Sequence, residues 1–186
     1  MDNGASSYRR YLDGDEDAFG EIVKEYFDNL VFFVDRYVED PCVAEDIALD
    51  VFTQLVVNRH RYNFRVSLKT YLFMMGRSRA LDYIRRRKRL NTVALSEVEE
   101  IADGGQSLEE KILADQRKRA VNAALGQLEE EMRLAVHLVY FEGLCAEEVA
   151  AVLKKNRYQI YNLLYRAKNR LRTILVTDDE IGKSSR

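Results

Sequence analysis

The sequence predicts an all-α protein of two small helical domains joined by a flexible acidic linker. One proline and nine glycines among 186 residues are too few to supply the turns of a β-rich fold. Apolar residues recur at three- and four-residue steps along most of the chain. A central stretch loses that period, turns acidic and contains Gly104-Gly105. With 47% hydrophobic residues, there is enough apolar surface to build packed cores.

The first helix is expected over Asp17 to Val38. Phe19, Ile22, Val23, Tyr26, Phe27, Leu30, Phe33, Val34 and Tyr37 form its apolar stripe. Asp40 followed by Pro41 is a cap and first-turn signature, opening a second helix to about Asn58. Ile47, Ala48, Val51, Phe52 and Leu55 face inward there, with Glu45, Asp46 and Asp50 on the wet side. A basic and aromatic loop, His60 to Arg65, precedes a third helix from Ser67 that ends in Arg85 to Arg89. These elements define a first domain over residues 10–90 and an acidic linker over 91–106.

Ser107-Leu108-Glu109-Glu110 is a capping box that starts a helix running to about Leu125. Glu129 to Phe141 is the next helix, with Gly143 as its stop. A short helix, Ala146 to Leu153, a turn at Lys154 to Asn156 and a longer helix from Tyr158 to about Leu175 complete a second domain, 107–175. Residues 176–186 read as a frayed tail.

The formal net charge is only −2, yet the charge is strongly segregated. Residues 1–58 carry 4 basic and 14 acidic side chains, and residues 59–90 carry 11 basic and 1 acidic. Residues 91–116 hold 1 against 7, and residues 117–175 hold 11 against 6. Local rather than net charge governs contact with a polyanion, because screening limits reach to about 8–10 Å. Two basic blocks separated by an acidic one point to nucleic acid. Cys42 and Cys145 are too few and too far apart for a disulfide framework or zinc knuckle, and buried thiols in a reducing cytoplasm are expected. The N-terminus has no apolar run of signal-peptide length, and no stretch reaches the roughly 20 apolar residues of a membrane span. A cytoplasmic protein without membrane insertion is expected. His60 and His137 are the only histidines, and no ligand cluster, phosphate loop or nucleophile–base spacing is present. The expectation is no catalytic residue, no metal and no cofactor. His137 is expected to be structural.

The C-terminal pair has helix-turn-helix spacing. Val149, Ala150, Leu153, Ile160, Leu163 and Leu164 face inward, and Arg157, Gln159, Tyr161, Asn162, Tyr165, Arg166 and Lys168 face outward. An αα-hairpin used only for packing has the same pattern.

The run from Leu128 to Ala150, with its Glu142-Gly143-Leu144 and Glu147-Glu148-Val149-Ala150, resembles region four of sigma factors. Tyr165 to Leu171 resembles the close of that region. Ala44 to Phe52 resembles region two, and Leu68 to Arg87 resembles its DNA-facing helix. In order and separation, these matches are similar to the extracytoplasmic-function subfamily of sigma-70-type RNA polymerase sigma factors. The resemblance implies a region-two bundle that binds core RNA polymerase and melts the minus-ten element of promoter DNA. It implies a region-four helix-turn-helix for the minus-thirty-five element, and an anti-sigma factor as a further partner.

Asp46, Asp50 and Gln54 are the implied polymerase contacts. Arg61, Tyr62, Asn63, Phe64, Arg65, Lys69, Tyr71, Arg77, Arg79, Arg85 and Arg86 are the implied minus-ten contacts. Cations along a path with interleaved rings suit an unpaired strand, although Tyr71 fits a core position equally well. Arg157, Tyr158, Gln159, Tyr161, Asn162, Tyr165, Arg166 and Lys168 are the implied helix-turn-helix contacts. The linker acids Glu97, Glu99, Glu100 and Asp103 match a segment that threads toward the polymerase active-site channel, or form a solvated tether. The sequence departs from the family where Lys154 and Lys155 replace glycine and an apolar residue in the turn. It departs again at Tyr161-Asn162-Leu163, where a Lys-Ser-Arg-like trio is usual, at Cys145 for the Ser/Thr cap, and at Tyr71 for a tryptophan. A stand-alone DNA-binding regulator and a helical adaptor remain open at this point.

Overall fold

The computed structural model describes residues 4–93 and 121–183, with side chains placed for 4–90 and 121–175. The expected linker beyond residue 93 and the Ser107 capping box lie outside the described residues. Helix α1 spans Ala5–Leu12, α2 Glu16–Val38, α3 Pro41–Val57 and α4 Leu68–Val93. After a helical stretch at 121–126 come α5, Glu130–Val136, and a π-helical turn, His137–Phe141. The pair α6, Ala146–Leu153, and α7, Arg157–Lys183, closes the chain.

The first domain forms because three amphipathic helices share one apolar seam. From α2 come Ile22, Tyr26, Leu30, Phe33 and Val34; from α3, Ala48, Val51 and Leu55; from α4, Leu68, Leu72 and Phe73. The Phe33 and Phe73 rings meet at 4.9 Å. Burying such side chains contributes about 1.5–3 kcal/mol each before conformational entropy is counted. Gly76 is what lets α4 approach α2, since a Cβ there would lie 2.8 Å from Leu30 Cδ1.

The ends of the helices follow local chemistry. Asp15 Oδ1 accepts from the Ala18 amide, and Asp40 Oδ1 accepts from the amides of Cys42 and Val43 with Pro41 beside it. Glu39 leaves α2 in the left-handed region at φ 54°. Ser67 caps α4, its Oγ accepting from the Thr70 amide at 3.2 Å.

In the second domain α5 widens where the Glu142 amide donates to the His137 carbonyl, five residues back, at 3.1 Å. Gly143, at φ 70°, then reverses the chain. Val149, Val152 and Leu153 of α6 pack with Ile160, Leu163 and Ala167 of α7. Lys154 makes the turn at φ 54°, and the Lys155 amide closes it on the Ala150 carbonyl at 3.0 Å.

Three expectations are corrected. The bundle begins at Ala5 rather than residue 10, because Tyr8 is wholly buried and its hydroxyl donates to the carbonyls of Leu55 and Arg59 at 3.2 and 2.8 Å. Cys42 and Cys145 are exposed, because both sit in the solvated first turn or cap of a helix. Helix α7 runs on to Lys183, with no proline or glycine before Gly182 to stop it. Among the described residues no helix is long and apolar enough to cross a membrane.

Candidate nucleic-acid interface

The loop between α3 and α4 is built by its own hydrogen bonds. Tyr62 Oη donates to the Val66 carbonyl at 2.6 Å, and Asn63 Oδ1 accepts from the Arg65 amide at 3.1 Å. Phe64 sits at φ 59°, a strained conformation for a bulky residue, with the Arg9 guanidinium 4.9 Å over its ring. This folding turns Arg61, Asn63 and Arg65 outward. Arg85 and Arg86 are exposed farther along α4, where Arg85 pairs with Asp82 at 2.6 Å.

The other expected minus-ten residues are less free. Tyr62 is 3% exposed, with its ring among Tyr8, Phe64 and Tyr71. In this conformation Tyr62 is part of the core. Phe64 and Tyr71 are half-buried. Arg77 is half-buried beside Tyr37, whose phenol burial pushes up to about 12. Arg79, also half-buried, pairs with Asp50 at 3.1 Å.

Lys69 reaches the second domain. Its Nζ lies 2.8 Å from Glu142 Oε2 and donates to the Glu142 carbonyl at 2.6 Å. Glu142 also accepts from Asn29 Nδ2 at 3.3 Å and has His137 Nε2 at 3.3 Å from its other oxygen. Burial pushes the Glu142 carboxyl up, but His137 and Lys69 outweigh it and hold the group below its ordinary value. His137 stands between Phe32 and Phe141, at 5.0 and 5.6 Å, in the structural role expected for it. Beside Lys69, Glu148 Oε1 accepts from Ser67 Oγ at 2.7 Å and Thr70 Oγ1 at 2.9 Å, while its Oε2 accepts from the Cys145 amide at 3.0 Å. Burial again raises the carboxyl. The Ser67, Cys145 and Thr70 hydrogen bonds lower it further than burial lifts it.

Helix α6 thus lies on α4. The cleft lined by Arg61, Tyr71 and Arg79 is walled on its far side by Ala151, Val152 and Lys154. The groove holding Phe64 and Arg65 is walled by Cys145, Glu147 and Glu148. Sequence reasoning missed this cover, together with Ser67, Thr70, Glu142 and Glu148. The available signal was the facing of acids at 142, 147 and 148 with the basic block, but no periodicity reports a contact 81 residues apart.

The eight outward residues of α7, Arg157, Tyr158, Gln159, Tyr161, Asn162, Tyr165, Arg166 and Lys168, are all exposed. Tyr158, Tyr161 and Tyr165 form an aromatic ridge along that face. Arg157 is held by Glu147 at 2.9 Å and by the Tyr161 hydroxyl at 2.9 Å from its Nη2. Arg166 pairs with Glu129 at 3.2 Å. On α3, Asp46 and Asp50 are exposed and Gln54 half-buried, beside the exposed apolar Leu49 and Val56.

Residues 22–90 match the model for Sigma-70 region 2. The chain is 27% identical over 165 residues to the RNA polymerase sigma-H factor of Pseudomonas aeruginosa, covering 83% of this chain and 84% of that one. It is 23% identical to the ECF RNA polymerase sigma factor SigX of Bacillus subtilis, covering 92% and 93%. Among solved structures it is similar to the sigma factor RpoE of Bartonella quintana in complex with the anti-sigma factor NepR. That likeness has TM-score 0.66 and 22% identity, over 86% of this chain and 98% of that one. It is also similar to CnrH in complex with the cytosolic domain of CnrY, with TM-score 0.63 and 20% identity over 95% and 99%. These two likenesses carry the fold.

Proposed function

We propose that the chain is a sigma factor of the extracytoplasmic-function subfamily of sigma-70-type RNA polymerase sigma factors, like the relatives that it resembles, and that its loop and α4 hold the unpaired minus-ten strand while α7 reads the minus-thirty-five element. The observation that carries this is the basic surface of residues 59–90, set inside the segment that matches region two. Arg61, Asn63 and Arg65 stand exposed on the loop, with Arg85 and Arg86 along α4. Strand separation needs cations along a backbone path and pockets for displaced bases. Phe64 and Tyr71 line the grooves on either side of that path.

Asp46, Asp50 and Gln54, with the exposed Leu49 and Val56 on the adjacent strip of α3, form the docking face for core polymerase. An acidic strip beside exposed apolar side chains suits a basic partner. In this reading the chain acts by binding rather than by catalysis. Nucleotide chemistry and its metal ions belong to the polymerase, and the protein works in the cytoplasm. The solved RpoE relative is in complex with the anti-sigma factor NepR, and CnrH is in complex with the cytosolic domain of CnrY; we extend an anti-sigma partner to this chain. It competes with core polymerase, and simultaneous binding of both in a pull-down would contradict that.

The test of the whole reading is reconstituted transcription. Core polymerase with this chain is expected to initiate at a specific promoter from the host genome. No specific start from such a holoenzyme overturns the reading.

A further inference from the structure

The head of α4 is an oxyanion site, and a carboxylate from the other domain sits in it. Ser67 Oγ and Thr70 Oγ1 converge on one oxygen of Glu148, at 2.7 and 2.9 Å. Lys69, between them in sequence, holds Glu142 at 2.8 Å. The positive end of a 26-residue helix adds to the same field. Thr70 is fully buried, so its hydroxyl has been taken from water to face this carboxylate.

Glu148 has a sufficient role on its own helix, where it returns a bond to the Cys145 amide through the other oxygen. Its bridging to α4 is additional. The site also lies in the block that carries 11 basic residues against 1 acidic, directly after Arg61 and Arg65. A phosphodiester presents two charged oxygens as a carboxylate does, and hydroxyl pairs with a lysine are ordinary donors to it.

We propose that Ser67, Lys69 and Thr70 form a binding site for a backbone phosphate of the unpaired promoter strand, and that Glu148 and Glu142 occupy it in the closed chain as phosphate mimics. The helix-turn-helix domain and the DNA backbone then compete for one set of donors. The free chain is self-covered, and opening is a precondition for strand capture. This rests on the assignment of α4 to the minus-ten strand.

The test uses the full chain with Cys145→Ser and Asn169→Cys, spin-labelled at Cys42 and at position 169. Two quantities are read: the inter-label distance, and the affinity for a short fluorescent single-stranded oligodeoxynucleotide. Glu142→Gln with Glu148→Gln is expected to lengthen the distance and tighten oligonucleotide binding about tenfold, since apparent affinity scales with the open fraction. Adding Lys69→Met and Thr70→Val should abolish that gain while the long distance remains. Circular dichroism at the parent's helix content shows that each variant is folded.

An unchanged distance in the double variant overturns the latch. A gain that survives Lys69→Met and Thr70→Val overturns the phosphate site. Either result leaves promoter-specific initiation by the wild-type holoenzyme standing, so failure here is distinguishable from failure of the sigma assignment.

Discussion

Asp50 on α3 and Arg79 on α4 lie 3.1 Å apart, so an expected polymerase contact and an expected DNA contact neutralise each other in the free chain. The aspartate side chain is 67% exposed, and such surface pairs contribute about 0–1 kcal/mol to stability. Asp50→Asn should therefore leave the melting temperature within about 2 °C of the parent, since 1 kcal/mol shifts a protein of this size by about 2–4 °C. It should weaken core-polymerase binding several-fold, in fluorescence titration at low salt. Arg79→Ala should spare polymerase binding and slow open-complex formation. Equal loss of both activities in both variants would show that the pair is only structural.

Tyr8 gives a sharper stability prediction. Tyr8→Phe keeps the ring contacts with Tyr11 and Tyr62 but removes the donor to the Leu55 and Arg59 carbonyls. Leaving buried acceptors unmatched costs about 1–3 kcal/mol, to be read as a shift in the urea midpoint. A variant as stable as the parent would make α1 an accessory rather than part of the bundle.

That example shows what the sequence makes legible. α2 and α3 were readable because many residues repeat one period and Asp40-Pro41 fixes a boundary, which is local information. The inward and outward faces of the helix-turn-helix were readable for the same reason. Helix α1 was not, because it is eight residues long with Tyr8 as its one buried residue, and one residue has no period. The π-helical turn was hidden because His137 to Phe141 carries no breaker, and the interdomain cover because Ser67 and Glu148 meet only in the tertiary structure. The burial of Tyr62 was hidden for a related reason. A tyrosine between arginines looks exposed until Tyr8, from a helix the pattern did not reveal, arrives beside it.

Lys154 turns the chain in the left-handed region, at φ 54°, where the region-four sequences that it resembles usually have glycine. A non-glycine residue in the left-handed region costs about 1–2 kcal/mol, offset in part by the greater freedom glycine has when unfolded. Lys154→Gly should raise stability by about 0.5–1 kcal/mol in urea titration. Lys154→Ala, which keeps a Cβ at φ 54°, should not. A destabilised Lys154→Gly would mean that the lysine side chain holds the turn.

Arg61 and Arg65 are exposed cations on the loop. If each contacts one phosphate of an unpaired strand, replacing either by alanine should reduce the slope of log affinity against log salt by about 0.7. Single-stranded oligonucleotide titrations across salt concentrations measure this, best in the opened Glu142→Gln, Glu148→Gln background. Affinity that falls with no change in slope would assign the loop to base or shape contacts instead.

Closure of the two domains should depend on pH through Glu142 and Glu148. Lys69, His137 and Asn29 face the first, and Ser67, Thr70 and the Cys145 amide face the second, with Glu147 and Arg157 nearby. Both carboxyls are held below the ordinary 4.5 in the closed chain. A depressed carboxyl stabilises the state that depresses it above the ordinary value, and that stabilisation is lost as pH falls through the lowered one. The label distance should thus stay constant from about pH 8 down to about 5 and lengthen below about 4.5, as protonation empties the site. The Glu142→Gln, Glu148→Gln chain, with neither latch carboxylate left to protonate, should show an open distance throughout. A wild-type chain that instead opened as pH rose from about 5 to about 8 would carry the opposite sign, and the carboxylates would not be what holds the domains together.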